Sequence, residues 1–173
     1  MPSKQCYAHA FVILAASSAL LAGREGAKEL LNDALALYDL RFWDEEEGLS
    51  RDTWDTGFTL LDSYRGLNAN MHSVEAFLAV ADAVGAETYR VRAGRIINRV
   101  LDWARNSSWR IPEHFTSDWV PQPEMNRDRP DAPFKPYGAT PGHGIEWARL
   151  ITQWALSSFA NREKAAPYIN AAE

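Results

Sequence analysis

Apolar residues recur at helical spacing in paired segments, and this repeat constrains the fold more than any other feature of the chain. The paired segments are 5–22 with 25–40, and 67–84 with 87–106. Gly23 and Gly85 interrupt the two pairs, so each pair is predicted to form a helical hairpin. A third hairpin is predicted from a helix over 141–160 and another from Arg162 onward, and we expect it to be cut short.

The sequence lacks the alternation of strands and helices that builds a parallel sheet. We therefore predict an all-α fold in which residues 1–173 form a single domain of helical hairpins joined by long loops. Hairpins of this kind with aromatic loops are typical of (α/α) barrels, or toroids.

Two long segments between the helices are predicted to be irregular. Residues 107–139 contain six prolines, which exclude a helix, and five aromatic side chains, which are unusual in a disordered linker. We expect this segment to form an ordered lid or rim. Residues 41–65 are predicted to form short extended pieces or a loop, and long loops in compact domains are often functional.

The charge pattern and the single cysteine exclude some classes of function. The net charge is −5 and no run of lysines or arginines is present, so nucleic-acid binding through a basic surface is not expected. Cys6 cannot form an internal disulfide, which fits a reducing compartment, and we expect a cytoplasmic protein. The apolar run 10–22 resembles a secretory signal but is too short to span a bilayer, and we predict a buried helix packed on both sides.

The segment 138–147 brings an imidazole and a carboxylate to the start of a helix. Thr140 is predicted to be the N-cap through its hydroxyl, and Pro141 suits the first helical position. His143 and Glu146 lie three residues apart and share a face. The helix terminus lowers the pKa of a histidine and a carboxylate raises it, so the balance could leave His143 near neutrality as an acid or base. The alternative is a capping histidine that only bonds Glu146.

A second polar cluster lies at the start of the helix predicted over 67–84. Asn68 and His72 are four residues apart, and an amide with an imidazole suits hydrogen bonds to sugar hydroxyls. The alternative is an N-cap asparagine with a core histidine.

Other chemistry-bearing residues support fewer conclusions. The two His-x-x-Glu pairs reverse the order found in carboxylate-bridged di-metal bundles, and we expect neither a metal nor a cofactor. Glu113 and His114 could shape a rim or form a structural knot, and His9 could be a core histidine or reach a pocket. A phosphate-binding glycine loop, a nucleophile elbow and a zinc-type cysteine cluster are all missing from the sequence.

Four segments together resemble the N-acylglucosamine 2-epimerase superfamily, and within it the aldose–ketose isomerase branch that includes mannose and sulfoquinovose isomerases. The segments are Tyr7-Ala8-His9-Ala10-Phe11, Tyr64-Arg65-Gly66-Leu67-Asn68-Ala69-Asn70-Met71-His72, Pro112-Glu113-His114-Phe115 and Pro136-Tyr137-Gly138-Ala139-Thr140-Pro141-Gly142-His143. The resemblance extends over nearly the whole chain.

The resemblance implies an (α/α)6 barrel and proton transfer next to a sugar carbonyl through an enediolate, without a metal or nucleotide. His143 would be the catalytic acid or base, with Glu146 orienting it or assisting ring opening. His72 would assist proton transfer and, with Asn68, bind sugar hydroxyls. Tyr7 and Met71 would line the pocket.

The chain also departs from the family pattern. Family members are longer, and this sequence lacks their substrate-binding arginine near the N-terminus and their second catalytic histidine near the C-terminus. We therefore expect about half a barrel, with little or no activity alone and with open apolar edges that associate with another copy. The alternatives are a carbohydrate-binding remnant without activity, or another toroid enzyme such as a glycoside hydrolase or polysaccharide lyase, although a hydrolase needs two opposed carboxylates.

Overall fold

The computed structural model describes residues 2–173, which form six helices and six short strands. The helices are α1 Cys6–Leu21, α2 Ala27–Arg41, α3 Leu67–Val84, α4 Glu87–Asn106, α5 Pro141–Ser158 and α6 Arg162–Ala172. The strands are β1 Ser3–Gln5, β2 Trp43–Asp44, β3 Leu49–Ser50, β4 Thr53–Asp55, β5 Arg65–Gly66 and β6 His114–Phe115. All six helices lie close to their predicted positions. None of them is long and apolar enough to cross a membrane.

The chain divides into two compact units. Unit 1 comprises the described residues up to Asp62 together with Ala69–Ile96. Unit 2 comprises Ser63–Asn68 and Ile97–Glu173.

In unit 1, α1 packs against α2 along one stripe only. Its buried residues are Cys6, Ala10, Ile13, Ala16 and Ser17. On other faces of the helix, Val12 is 40 % exposed and Leu21 is 65 % exposed. The prediction that α1 is packed on both sides is therefore wrong, because Val12 and Leu21 stay exposed, although the start of the helix also contacts α3 at His72.

The segment that follows α2 is extended, as one of the two predicted alternatives proposed. Strand β2 pairs with β3, and β1 pairs with β4 with Ser3 opposite Asp55, both antiparallel. The Cys6 N–H donates to the Asp52 carbonyl at 2.8 Å, so this segment also holds the start of α1.

In unit 2, the proline-rich segment is ordered by aromatic packing and a buried histidine. Trp103 packs on Phe115 and Trp119 with ring centroids 4.5 and 5.9 Å apart. His114 lies within hydrogen-bond distance of the Tyr64 hydroxyl and the Pro136 carbonyl, at 2.8 and 2.7 Å. The expectation of an ordered segment at 107–139 is confirmed.

Helix α5 begins where predicted, but its cap differs from the prediction. Pro141 occupies the first turn, and Thr140 is the N-cap residue with an extended backbone. The Thr140 hydroxyl makes no capping hydrogen bond, which corrects the prediction made from residue type. In α6, by contrast, the Asn161 side chain accepts a hydrogen bond from the Glu163 N–H at 2.8 Å.

Candidate active site

His143 lies in the first turn of α5 and is paired with a buried carboxylate of unit 2. Its Nδ1 atom lies 2.9 Å from Glu113 Oε2 and 3.1 Å from Oε1. The Glu113 side chain is 5 % exposed and the His143 side chain 25 %, so the pair has one buried member and one accessible member. This is the arrangement of an oriented acid or base.

Glu113 is itself held from two sides. Its carbonyl accepts a hydrogen bond from the Leu67 N–H at 3.1 Å, beside the β5–β6 pairing. Its carboxylate oxygen Oε1 accepts the Thr140 N–H at 3.1 Å. A carboxylate is stabilised at a helix N-terminus, so Glu113 is favoured at this position, where it accepts the N–H of the N-cap residue itself.

The pKa of His143 is raised above its ordinary value. The hydrogen bond to Glu113 is the main cause; burial opposes it, and the negative charges of Glu113 and Glu146 add to it. In the neutral imidazole, Nδ1–H donates to the carboxylate, which leaves Nε2 as the atom with the free lone pair.

Glu146 does not have the orienting role expected for it. It is exposed on α5 and acts on His143 through its charge, while Glu113 takes the hydrogen bond. Side chains of a helix point back toward its N-terminus, and Glu113 lies beside that end of α5.

In unit 1, His72 is surrounded by aromatic rings and a carboxylate. Its Nδ1 lies 3.2 Å from Glu75 Oε2. The Tyr7 ring packs edge-on against it with centroids 5.0 Å apart, and Phe11 lies 4.8 Å away. The His72 side chain remains 16 % exposed, so it is not fully enclosed by this cluster.

The two other predicted binding residues differ in accessibility. Asn68 is half-buried near the start of α3. Met71 is 1 % exposed and belongs to the core.

The remaining two histidines have structural roles. Both ring nitrogens of His114 are engaged, which is the structural knot considered from sequence. His9 Nε2 lies 2.7 Å from the Ala34 carbonyl, where it fastens α1 to α2. Of the four histidines, His72 and His143 are therefore the candidates for chemistry.

A cavity of about 860 Å³ lies in unit 2, but it is not the candidate site. Thr140, Gly144 and Trp147 line it together with Trp109, whereas His143 does not.

Residues 2–173 contain no group of three or more histidine, cysteine, aspartate or glutamate side chains arranged to hold a metal ion. His72 with Glu75 and His143 with Glu113 are therefore described as pairs, each within its own unit.

Glu113 is the member of this pair that the sequence patterns do not single out. From sequence, Glu113 and His114 predict only a rim or a structural knot. The pairing with His143 spans thirty positions, and no local spacing predicts it.

Comparison with known proteins places this chain in a family. The family model of N-acylglucosamine 2-epimerase (GlcNAc 2-epimerase) matches residues 1–173. A D-mannose isomerase of Thermobifida fusca is 51 % identical over 149 residues, which cover 86 % of this chain and 37 % of that protein. A D-mannose isomerase of Pseudomonas cannabina pv. alisalensis is 48 % identical over 86 % of this chain and 36 % of its own length.

Solved structures of D-mannose isomerase and cellobiose 2-epimerase also match this chain. A crystal structure of a D-mannose isomerase matches with a TM-score of 0.87 and 32 % identity, over 98 % of this chain and 44 % of that one. A cellobiose 2-epimerase from Spirochaeta thermophila DSM 6192 matches with a TM-score of 0.79 and 18 % identity, over 98 % of this chain and 42 % of that one, which is a likeness of fold alone.

The fold and the paired residues therefore define the class expected from sequence, an all-α fold of the (α/α)6-barrel type. The chain belongs to the N-acylglucosamine 2-epimerase family. It spans well under half the length of the curated relatives it matches.

Proposed function

We propose that the chain carries part of the active site of a sugar isomerase that moves a proton at the carbon next to the sugar carbonyl. The observation that carries this proposal is the pair formed by His143 and the buried Glu113, with Nε2 of the imidazole free. Abstraction of a carbon-bound proton needs an oriented base, and the imidazole of His143, held by Glu113, supplies one.

In the proposed reaction, neutral His143 takes the proton from C2 of the open-chain sugar through Nε2. The electron pair of the broken C–H bond moves into the carbonyl and forms an enediolate. Glu113 keeps the imidazole in the correct tautomer and stabilises the imidazolium that forms, while remaining ionised. Return of the proton to C1, with the O2 hydroxyl proton passing to O1, gives the ketose, and return to C2 gives an aldose.

We assign the other residues by their chemistry. Asn68 and His72 bind sugar hydroxyls, and His72 is also a candidate for assisting proton transfer. Tyr7 offers a ring edge to the sugar, and Met71, as a core residue, contributes packing. For Glu146, which is exposed three residues after His143, the proposed role is participation in ring opening.

The proposed substrate is a mannose-like hexose. The support is the naming of the relatives at 51 % and 48 % identity as D-mannose isomerases. The chain spans 37 % of the first relative. For this chain alone we therefore expect exchange of the proton at C2 and not complete turnover of the sugar.

Incubation with mannose in heavy water tests the proposal. Deuterium at C2, followed by NMR, is the expected result, with sulfoquinovose as a second sugar. Sugar binding without deuterium at C2 would instead support the carbohydrate-binding alternative. The absence of both binding and exchange would refute the proposal.

We also propose that the chain associates with a second copy of itself. In unit 1, Leu21 and Leu40 are 65 and 68 % exposed; in unit 2, Ile145 and Leu156 are 73 and 57 % exposed. Exposed large apolar side chains favour association. A cytoplasmic location is proposed as well, on the support of the single unpaired thiol at Cys6.

A further inference from the structure

A buried polar network in unit 1 takes no part in the proposed chemistry. At its centre is the hydroxyl of Tyr38, a residue of α2 that is 0 % exposed. This hydroxyl donates to Ser73 Oγ at 2.7 Å and lies 2.5 Å from Ser50 Oγ. The Cys6 thiol lies 3.8 Å from the Tyr38 hydroxyl and 3.6 Å from Ser73 Oγ.

The donor and the acceptor of each hydroxyl–hydroxyl hydrogen bond in this network can be assigned. The Ser73 hydroxyl donates to the Ala69 carbonyl at 2.7 Å, so it accepts from Tyr38. Tyr38 has a single proton, which is used on Ser73, and therefore the Ser50 hydroxyl donates to Tyr38. The hydroxyls of Tyr38 and Ser73 each have both a donor and an acceptor role, so a change at Tyr38 affects the hydrogen bonds of both serines.

The network is neutral. Burial raises the pKa of the Cys6 thiol to about 12 and holds the pKa of Tyr38 well above its usual range. The network itself holds no charge to be compensated. Its hydrogen bonds therefore serve to fix the positions of the residues that they join.

The same network fixes the early turns of α3 on both sides of His72. Asn70 Oδ1 accepts the Ser50 N–H at 2.8 Å, and Asn70 Nδ2 donates to the Ser50 carbonyl at 3.1 Å. Ser50 thus binds α3 directly at Asn70 and, through Tyr38, at Ser73. These two positions flank His72.

The network also reaches the start of α1. Cys6 contacts Tyr38 and Ser73 through its sulfur, and its N–H donates to the Asp52 carbonyl at 2.8 Å. The next residue is Tyr7, whose ring packs edge-on against His72 at 5.0 Å. One network therefore holds the backbone on both sides of this ring contact.

We propose that Tyr38 is a positioning residue, which sets the contact between Tyr7 and His72 through Ser73, Ser50 and Cys6. The inference rests on the proposed function in one respect, that Tyr7 and His72 bind the sugar. The hydroxyl itself lies in the core and does not touch the substrate.

The test compares Tyr38→Phe with Tyr89→Phe in the full chain. Both tyrosines pack on the Phe77 ring, at 5.3 and 5.9 Å, and the Tyr89 hydroxyl makes no hydrogen bond within residues 2–173. With isotope-labelled histidine and tyrosine, the nuclear Overhauser effect between the Tyr7 and His72 rings reports their contact directly. We expect Tyr38→Phe to weaken this effect and to shift the His72 resonances, while Tyr89→Phe leaves both unchanged.

Mannose affinity is measured on the same variants by titration. A misplacement of about 1 Å can cost on the order of a hundredfold in function, so a fall in affinity of tenfold or more is expected for Tyr38→Phe. Ser73→Ala removes one partner and keeps the tyrosine; it should shift the same resonances in the same direction, even if Tyr38→Phe does not fold.

Unchanged ring contacts in folded Tyr38→Phe or in Ser73→Ala would overturn the proposal. Failure of the proposed function is a separate outcome. A wild-type chain that neither binds nor exchanges mannose, but whose ring contact depends on Tyr38, would retain the positioning role and refute only the sugar chemistry.

Discussion

At the scale of single residues, the partner of His143 determines what the imidazole can do. Glu113 is buried and bonded to Nδ1, whereas Glu146 is exposed and acts only through its charge. The hydrogen bond to Glu113 is the largest influence on the pKa of His143. The two carboxylates therefore affect the pKa of His143 unequally. Substituting each of them in turn can separate the two effects.

The first prediction concerns the pKa of His143. Glu113→Gln removes the carboxylate that receives Nδ1–H and is expected to lower this pKa, since the largest raising influence is lost. Titration of the His143 ring resonances by NMR measures the change. Glu146→Gln is the matched control and should lower the pKa less; an equal or larger effect of Glu146→Gln would mean that the structure ranks the two carboxylates wrongly.

The second prediction concerns stability and pH. Because the pKa of His143 is raised in the folded chain, protonation of His143 stabilises the folded state. This stabilisation is fully present below the ordinary pKa of 6.5. It is lost as the pH rises through the pKa of the folded state. Glu113→Gln should therefore cost more stability at about pH 6 than at about pH 9, as measured by urea unfolding at both pH values. The same loss at both would show that the pair has no linkage to folding.

At the scale of elements, the helices were predictable and their side-chain partners were not. The apolar period and Gly85 located α3 and α4, because repeat and breaker act locally. The bond between Glu113 and His143 depends on the β5–β6 pairing, which joins parts of the chain about fifty residues apart, and no local pattern encodes that. The same limit explains α1, where sequence shows which residues are apolar but not which side is covered.

The third prediction uses the two helix caps of unit 2. Asn161→Ala removes a hydrogen bond to the first turn of α6 and should destabilise the chain by about 1 kcal/mol, or lower Tm by about 2–4 °C. Thr140→Ala is the matched control: its hydroxyl makes no capping bond, so thermal unfolding should change much less. Equal shifts in Tm would contradict the cap assignments.

At the scale of the whole molecule, the family relationship and the exposed apolar side chains have to be considered together. The chain matches a D-mannose isomerase structure with a TM-score of 0.87, over 44 % of that structure. Within unit 1, both Leu21 and Leu40 are largely exposed. We take their exposure as the basis for the proposed association between copies.

The fourth prediction is that association depends on these leucines. Sedimentation should give a species heavier than one chain that dissociates on dilution, and Leu21→Glu combined with Leu40→Glu should shift it to the mass of one chain. Lys28→Glu, an exposed polar change on α2, is the control and should leave the mass unaltered. A wild-type chain that sediments as a monomer at all concentrations would rule the association out.

The central claim is that His143, oriented by Glu113, takes the proton from C2 of the sugar. The most direct measurement is the rate of deuterium incorporation at C2 of mannose in heavy water, compared between the wild-type chain and His143→Gln. Loss of a general base costs about 10² to 10⁴-fold, so exchange is predicted in the wild type and a fall of at least about a hundredfold in the variant. Equal rates of exchange in the two proteins would contradict the account.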